Sequence, residues 1–240
     1  MKKLLINGCS FGYVWSPTES FVNQIGCNSV ENISKPGTSF QRTARSTVEW
    51  VAQNGKPDVV VIPITFAHRW EMPIGSEESF DTLDGNWLPL QVNSAIENEK
   101  HGSNVEAFNK ISSDRGKIKK LTDLYFGLIK STVGYWDKLF TEIITLSSFL
   151  DQQKIPYLMF DMCNDFDESL LIDHPFLQKA QLIKQNKNVI NIFSFCGNKY
   201  MWRLKARGPA EPFNQHWGSD EYKLFEAYIL QYIRDNEILP

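Results

Sequence analysis

The 240-residue sequence has few cysteines and no long hydrophobic run. The four cysteines form no Cys-x-x-Cys pair and no histidine-rich group, so we expect reduced thiols and no metal site; they are Cys9, Cys27, Cys163 and Cys196. No segment approaches the ~18–20 apolar residues that span a bilayer. The apolar run after Met1-Lys2-Lys3 is too short for a signal peptide. The sequence therefore predicts no membrane partner and a cytoplasmic location.

The chain also has no large excess of charge of one sign. The net charge is −3, whereas nucleic-acid binding requires a concentrated basic surface, so nucleic acid is excluded as a general partner. The basic run 115–120 is the local exception, and we expect it to be a solvated loop. The hydrophobic fraction of 42% is typical of a globular protein. The length fits a single domain over 1–240 that folds without disulfides or structural metal.

The chain alternates between strand-like and helix-like segments. Short apolar segments rich in branched residues predict buried parallel strands at Lys3–Asn7, Val59–Ile64, Tyr157–Asp161 and Val189–Phe193, with a weaker one at Ser29–Ile33. Helical periodicity lies between them, at Ser39–Gln53, Leu121–Gln153 and Ser219–Asn236. This alternation predicts an α/β fold, a three-layer α/β/α sandwich with a mostly parallel, flavodoxin-like sheet.

Residues 72–120 do not follow this alternation. The segment is polar and carries scattered glycines and aromatic residues. Because a structureless loop of that length is improbable inside a compact domain, we expect an insertion or lid with some order of its own, near the site.

Two motifs at opposite ends of the chain indicate serine chemistry. Ser10 lies in a Gly-Cys-Ser-Phe-Gly turn directly after the first predicted strand, and His216 lies just before the last predicted helix. Active sites of parallel sheets form beyond the carboxyl ends of the strands, where Ser10, Gly37 and the stretch 65–71 all fall. A serine hydroxyl needs a base to take its proton, so only the pair has catalytic meaning. Alone, the serine motif is typical of a helix N-cap or turn, and a lone histidine is more often structural.

These blocks resemble the SGNH (GDSL-type) hydrolase family. Ser10 stands where the family has the serine of its Gly-Asp-Ser block, with Cys9 replacing the aspartate. The stretch Lys35-Pro36-Gly37-Thr38-Ser39 resembles the family's glycine block, and His216 takes the place of its catalytic histidine. The resemblance implies an SGNH-type fold, the hydrolysis of esters through Ser10 and His216, and no metal or organic cofactor.

The histidine block departs from the family pattern. Phe213 stands three residues before His216, where the family has an aspartate that orients the imidazole. The candidate orienter is therefore Glu211 or a backbone carbonyl, and without a carboxylate the site is a Ser10–His216 dyad.

The block after the third strand also departs from the pattern, because it has no asparagine to donate to the oxyanion. The resemblance makes Gly37 one donor. Thr65, through its hydroxyl, and His68, through its ring, are the candidates for the missing one. Arg69 either pairs with Glu71 or binds an anionic group of the substrate.

The sequence thus predicts a serine esterase that hydrolyses a small acyl ester. Tryptophans in predicted loops suit the faces of a carbohydrate carrying acetyl groups, or they fill the core of the insertion; they are Trp15, Trp70, Trp87, Trp202 and Trp217. The alternative is a catalytically degenerate protein of the same fold with a binding or structural role, for example in a virion. A nucleotide-binding protein is a weaker third reading, because the turn 8–12 is too short for a phosphate loop.

Overall fold

The computed structural model describes residues 2–67, 69–73, 87–90, 132–161, 177–191 and 219–239. In chain order the strands are β1 (Lys3–Ile6), β2 (Ser29–Asn32), β3 (Val59–Ile64), β4 (Trp70–Pro73), β5 (Trp87–Leu90), β6 (Tyr157–Asp161) and β7 (Val189–Asn191). The helices are α1 (Ser10–Val14), α2 (Glu19–Gln24), α3 (Phe40–Asn54), α4 (Thr132–Gln153), α5 (Leu177–Gln185) and α6 (Ser219–Asn236).

Five strands form one parallel sheet in the order β2-β1-β3-β6-β7. β1 lies between β2 and β3, with Leu5 opposite both Glu31 and Val60. The chain winds in one direction from β1 to β2 and in the other from β3 to β7. This flavodoxin-like order opens a crevice between the carboxyl ends of β1 and β3, where the winding direction reverses.

Successive side chains of the strands point to opposite faces of the sheet, and each face is covered by helices. Leu4 and Ile6 belong to a core shared with α1, α2 and α6, whereas Leu5 belongs to a core shared with α3, α4 and α5. The predicted three-layer α/β/α sandwich is therefore confirmed.

The predicted strands and long helices agree with the structure to within one or two residues wherever both are described. The helix predicted over Leu121–Gln153 is described from Thr132 onward, and its first part lies outside the described residues. Helices α1, α2 and α5 were not predicted, because five to nine residues are too few for a helical period to be read.

At the start of the predicted insertion, β4 and β5 pair antiparallel. The rest of the predicted insertion, 74–86 and 91–120, is not described, so its role stays a prediction.

Pro63 lies inside the central strand β3, where proline usually breaks the ladder of hydrogen bonds. The N–H of Val60 donates to Pro156 on the β6 side, and the carbonyl of Val61 accepts from Asn7 on the β1 side. Since hydrogen-bonding direction alternates along a strand, the nitrogen of Pro63 faces β1. β1 has already ended at Ile6, so no ladder bond is lost there.

Cys9 and Cys27 are both buried and form no disulfide, whereas Cys163 and Cys196 lie outside the described residues. Burial, with a smaller contribution from Asp58, raises the pKa of the Cys27 thiol to about 11.

In the described part of the chain, no helix is long and apolar enough to cross a membrane. No group of three or more metal-ligating side chains occurs there either.

Glu142 on α4 is a largely buried carboxylate. Its Oε1 forms an ion pair with Nζ of Lys138 at 3.0 Å, but its Oε2 is buried without a hydrogen-bond partner. Burial disfavours the charged form and raises the pKa of Glu142 above its ordinary value of 4.5, although Lys138 opposes the shift.

We expect Glu142→Gln to gain stability relative to the parent protein as the pH rises. The folded state holds the Glu142 proton more tightly than the unfolded chain, so this group stabilises the fold below its ordinary pKa and loses that contribution as the pH rises through the folded value. The free energy of unfolding of both proteins, measured by urea denaturation from about pH 4.5 to about pH 8, gives the difference. Glu49→Gln, at an exposed position on α3, is the control. Parallel pH profiles for Glu142→Gln and the parent would contradict the expectation.

Candidate active site

Ser10 is the first residue of α1, four residues after the end of β1. The N-cap of α1 is Cys9, whose side chain makes no capping hydrogen bond, so the serine is not the N-cap that its motif most often indicates. Ser10 is half-buried, and no hydrogen bond joins its hydroxyl to another described residue. Among the described residues, the hydroxyl is therefore used neither for capping nor for another hydrogen bond.

Two glycines flank Ser10 and approach other parts of the chain closely: Gly8 in the turn before it and Gly12 within α1. A Cβ on Gly8 would lie 2.6 Å from Cγ of Pro63, and one on Gly12 would lie 2.5 Å from Oγ of Ser34. A side chain at Gly8 would overlap the ring and carbonyl of Pro63 and push the turn away from β3, and one at Gly12 would require Ser34 to shift. The two glycines thus hold Ser10 close to the crevice between β1 and β3.

The predicted glycine block lies beside this turn. The N–H of Lys35 donates to the carbonyl of Gly8 at 3.0 Å, and the Thr38 hydroxyl donates to the carbonyl of Lys35 at 2.8 Å. Gly37 has φ 75°, a left-handed conformation that favours glycine. The geometry thus brings Gly37 next to the Ser10 turn, as the sequence predicts, although its role as a donor stays a prediction.

The residues after β3 form a compact polar group with Thr38. Thr65 is fully buried, and its hydroxyl donates to the carbonyl of Thr38 at 3.2 Å. Nη1 of Arg69 donates to the Thr65 hydroxyl at 3.0 Å and to the carbonyl of Thr38 at 3.5 Å. The one hydroxyl proton of Thr65 is directed at a carbonyl, so an oxyanion would have to compete for it.

The Arg69–Glu71 ion pair expected from the sequence is not formed. Glu71 is buried and pairs instead with Arg45 of α3, at 3.3 Å between Oε2 and Nη2. The physical reason is the extended backbone of β4, which begins at Trp70. Side chains two residues apart lie on the same face only within a strand. Arg69 precedes β4, so its side chain does not share a face with that of Glu71.

A buried polar network lies at the end of β1, directly before the Ser10 turn. The amide nitrogen of Asn7 lies within 3.0 Å of three oxygens of α3: the carbonyl of Thr43 and the hydroxyls of Ser46 and Thr47. Its Oδ1 accepts a hydrogen bond from Nη1 of the buried Arg42 at 2.7 Å. Because unsatisfied polar groups are costly in a core, this network joins the end of β1 to α3 in one arrangement.

The last helix is attached to the other side of the Ser10 turn. The hydroxyl of Tyr222, in the first turn of α6, donates to the carbonyl of Phe11 at 3.0 Å. The Tyr222 ring stacks on Trp15, with ring centroids 6.4 Å apart and planes at 7°. The start of α6 therefore lies against α1, one residue from Ser10.

Glu226, one turn further along α6, holds the same contact. Its carboxylate accepts hydrogen bonds from Nε1 of Trp15 at 3.1 Å, the N–H of Thr18 at 2.9 Å and the Thr18 hydroxyl at 2.6 Å. Thr18 is also the N-cap of α2, where its Oγ1 accepts from the N–H of Phe21. One buried carboxylate thus connects α6 with the segment that joins α1 to α2.

Of the predicted site residues, the structure brings Ser10, Gly37, Thr65 and Arg69 to one edge of the sheet. The other three, His68, Glu211 and His216, lie outside the described residues. The sequence reasoning missed the supporting residues Asn7, Arg42, Tyr222 and Glu226. Asn7 left a signal, a polar residue ending an apolar run. Glu226 left none, because its partners lie more than two hundred residues away.

Trp15 was expected in a loop or next to the site, where it would either suit a sugar face or help to fill the core of the insertion. The structure buries it with Phe21, Phe160 and Phe225, so it belongs to the core.

No protein-family model matches the chain, and no curated protein matches its sequence. Three solved structures that resemble it are named as lipases or esterases. A GDSL-like lipase from Bacteroides thetaiotaomicron is 14% identical with a TM-score of 0.46, covering 98% of this chain and 89% of the lipase chain. The psychrotrophic esterase EstA from Pseudoalteromonas sp. is 10% identical with a TM-score of 0.47, covering 98% of each chain. An acetyl xylan esterase from the rumen bacterium Butyrivibrio proteoclasticus is 11% identical with a TM-score of 0.43, covering 98% of this chain and 64% of the other. A likeness at these values assigns no activity, substrate or site residue to this chain.

We expect Gly8→Ala to destabilise the protein by about 1–3 kcal/mol, because the new methyl group overlaps Pro63. The displaced turn should also lower the rate at which Ser10 reacts with an active-site reagent. Gly26→Ala is the matched control: its φ of +78° makes alanine strained, yet nothing lies within 4 Å of the added carbon. Chemical denaturation should show a loss in both variants, and only Gly8→Ala should react more slowly. Parent-like stability of Gly8→Ala would contradict the packing argument.

We expect Glu226→Gln to cost about 1.5–3 kcal/mol, because an amide nitrogen replaces one of two oxygens that accept three hydrogen bonds in a buried position. The control is Glu49→Gln, where an exposed carboxylate loses only an i,i+4 ion pair with Arg45, a loss of about 0.5 kcal/mol or less. Urea denaturation of both variants measures the difference. Equal losses would show that α6 is held by its apolar face alone.

Proposed function

We propose that the chain is a divergent SGNH-type serine ester hydrolase, with Ser10 as the nucleophile and His216 as the general base. The observation that carries the proposal is the contact between the two ends of the chain. Tyr222, at the start of α6, donates a hydrogen bond to the carbonyl of Phe11, the residue after Ser10. Because His216 precedes α6 by three residues and α6 begins against the Ser10 turn, we propose that His216 reaches Ser10 from there.

The length of chain between the histidine and α6 is compatible with this pairing. His216 precedes Ser219, the first residue of α6, by three residues. Three residues span at most about 11 Å when fully extended, so His216 stays within that reach of the helix start. A dyad needs a Ser10 Oγ to imidazole nitrogen distance of about 3 Å, and this tether allows it.

The reaction would proceed in two steps. Oγ of Ser10 attacks the ester carbonyl carbon while His216 takes its proton, and the tetrahedral intermediate collapses as His216 returns that proton to the leaving alcohol. Water then attacks the acyl-serine by the same route, which releases the acid and restores the Ser10 hydroxyl. Glu211 is the proposed carboxylate that orients the imidazole, with a backbone carbonyl as the alternative.

The oxyanion of each intermediate needs hydrogen-bond donors, each worth roughly 3–4 kcal/mol in the transition state. The N–H of Ser10 belongs to the first turn of α1, whose amides have no partner within the helix. Gly37 is the second proposed donor, since its turn is bonded to Gly8 through Lys35. For the third donor we propose Thr65 or His68.

A small acyl ester, such as an acetyl group on a carbohydrate, is the proposed substrate. Trp15 is excluded as a contact for the sugar ring, because it is part of the core. Trp70, half-buried at the start of β4, stays a candidate platform for a sugar ring.

A second candidate function is a non-catalytic binding protein of the same fold, for example a structural component of a virion. The Thr65 hydroxyl favours this second function, because the fully buried group donates its proton to the carbonyl of Thr38. That proton is then not available for a hydrogen bond to an oxyanion. With two donors instead of three, catalysis would be slower by roughly 10²–10³-fold.

A fluorophosphonate probe distinguishes these functions without knowledge of the substrate. We expect one adduct per chain on Ser10, located by peptide mass spectrometry, because an activated serine attacks phosphorus as it attacks a carbonyl carbon. Ser10→Ala should abolish labelling and His216→Ala should reduce it by several orders of magnitude.

The matched control is Ser20→Ala, which removes an exposed serine hydroxyl on α2. It should label like the parent. A folded parent protein that takes up no probe would refute the hydrolase and favour the binding protein. Labelling that persists in His216→Ala would refute the dyad alone.

A further inference from the structure

Arg69 uses only one edge of its guanidinium group within the protein. This arginine follows β3, at the carboxyl edge of the sheet where Ser10 and Gly37 lie. Its Nη1 donates to the Thr65 hydroxyl at 3.0 Å and to the carbonyl of Thr38 at 3.5 Å. Both acceptors are neutral, and they occupy the two hydrogens that Nη1 carries.

The opposite edge, formed by Nε and Nη2, has no acceptor from the described part of the chain. Nε is buried from solvent and makes no hydrogen bond, and Nη2 donates to no described residue. Nε–H and one hydrogen of Nη2 point in parallel, and this is an edge on which arginine binds two oxygens of one anion. A buried donor of a charged group that is left unsatisfied calls for an explanation, and a ligand supplies one.

The charge of Arg69 also lacks a carboxylate partner among the described residues. Glu71, two residues further along the chain, pairs with Arg45 at 3.3 Å, and Glu142, one turn after Lys138 on α4, pairs with Lys138 at 3.0 Å. Lys138 Nζ in addition donates to the backbone carbonyl of Arg69 at 3.3 Å, which adds positive potential there. Both carboxylates are therefore engaged by other cations, and no described residue supplies one to Arg69.

The guanidinium plane is held in place before any ligand arrives. Its Cζ lies over the ring of Phe66, 4.9 Å from the ring centroid. A guanidinium that contacts a ring and is hydrogen-bonded along one edge loses little conformational entropy when an anion binds the other edge.

Arg69 is linked to the Ser10 turn by a continuous chain of hydrogen bonds. The carbonyl of Gly8 accepts from Lys35, the carbonyl of Lys35 accepts from the Thr38 hydroxyl, and the carbonyl of Thr38 accepts from Arg69. This chain of hydrogen bonds places Arg69 at the same edge of the sheet as the Ser10 turn.

We propose that the Nε–Nη2 edge of Arg69 binds a carboxylate or phosphate group of the substrate, so that the preferred ester is anionic at a position remote from its scissile bond. This inference rests on the proposed hydrolase function and deepens it. Arg69 is then a specificity-determining residue that the chemical step itself does not use.

The test compares anionic and neutral esters that share a scissile bond. One pair is 4-acetoxybenzoate and its neutral methyl ester, with the charge on the leaving group. The other is 4-nitrophenyl hemisuccinate and 4-nitrophenyl valerate, with the charge on the acyl group. The parent protein should prefer the anionic member of at least one pair.

Arg69→Met should reduce that preference, expressed as a ratio of kcat/KM values, by about 10- to 100-fold, the usual effect of losing charge-assisted hydrogen bonds. The loss should appear mainly in KM, because the anion is bound equally in the ground and transition states. Arg69→Lys keeps the charge but not the fork, so it should lose less and also serves if the methionine variant does not fold. An equal loss on both members of each pair would show that Arg69 only supports Thr38 and Thr65, and would overturn the proposal.

Direct binding separates a failure of this inference from a failure of the hydrolase. Isothermal titration of the parent with benzoate and with inorganic phosphate, at an ionic strength matched with sodium chloride, needs no catalysis. Binding that is lost in Arg69→Met supports the anion site even if no ester is hydrolysed, and the stronger ligand identifies the carboxylate or phosphate. Absence of binding in the parent, or equal binding in the variant, overturns it.

Discussion

The site depends on one close approach, that of the chain after β1 to the strand β3. Gly8 lies so near Pro63 that no side chain fits between them, and the proline ring occupies the place where β1 has stopped pairing. A parallel sheet wound in both directions from β1 opens a crevice at this point. Because Gly8 and Gly12 have no Cβ atom, the Ser10 turn lies directly at the edge of the crevice. The glycine block is hydrogen-bonded to this turn, and the residues after β3 are hydrogen-bonded to the glycine block.

Beneath the crevice the protein uses buried polar contacts where an apolar core would have served for stability alone. Asn7 is surrounded by polar groups of α3, including the buried guanidinium of Arg42. Such a network stabilises only when all its members are satisfied, so it selects one position of β1 against α3 rather than many of similar energy. The carboxylate of Glu226 acts in the same way between α6 and the segment after α1. Both contacts restrict the position of the Ser10 turn, one from each face of the sheet.

Much of the fold was predictable from the sequence because its signals are local. The run 59–64 is apolar and branched, and it forms the central strand with the predicted ends. The stripe of apolar residues in α6 likewise predicted its bounds. The short helices α1 and α2 were missed, since a helix of five or six residues carries too few positions to show a period. Within the site, strand ends alone predicted that Ser10, Gly37 and Thr65 would meet, because parallel strands end at the same edge.

The sequence by itself determined the layering of the fold, the candidate residues for chemistry and the edge of the sheet at which they lie. Tertiary structure decided the partners. Arg69 was expected beside Glu71, two residues away, yet Glu71 pairs with Arg45 from a different helix. Glu226 reaches Trp15 across 211 positions of the chain. The physical reason is that hydrogen bonds and ion pairs depend on distance in space, whereas hydrophobic periodicity depends on spacing along the chain. Spacing along the chain can be read directly from the sequence, whereas distances in space exist only once the chain has folded.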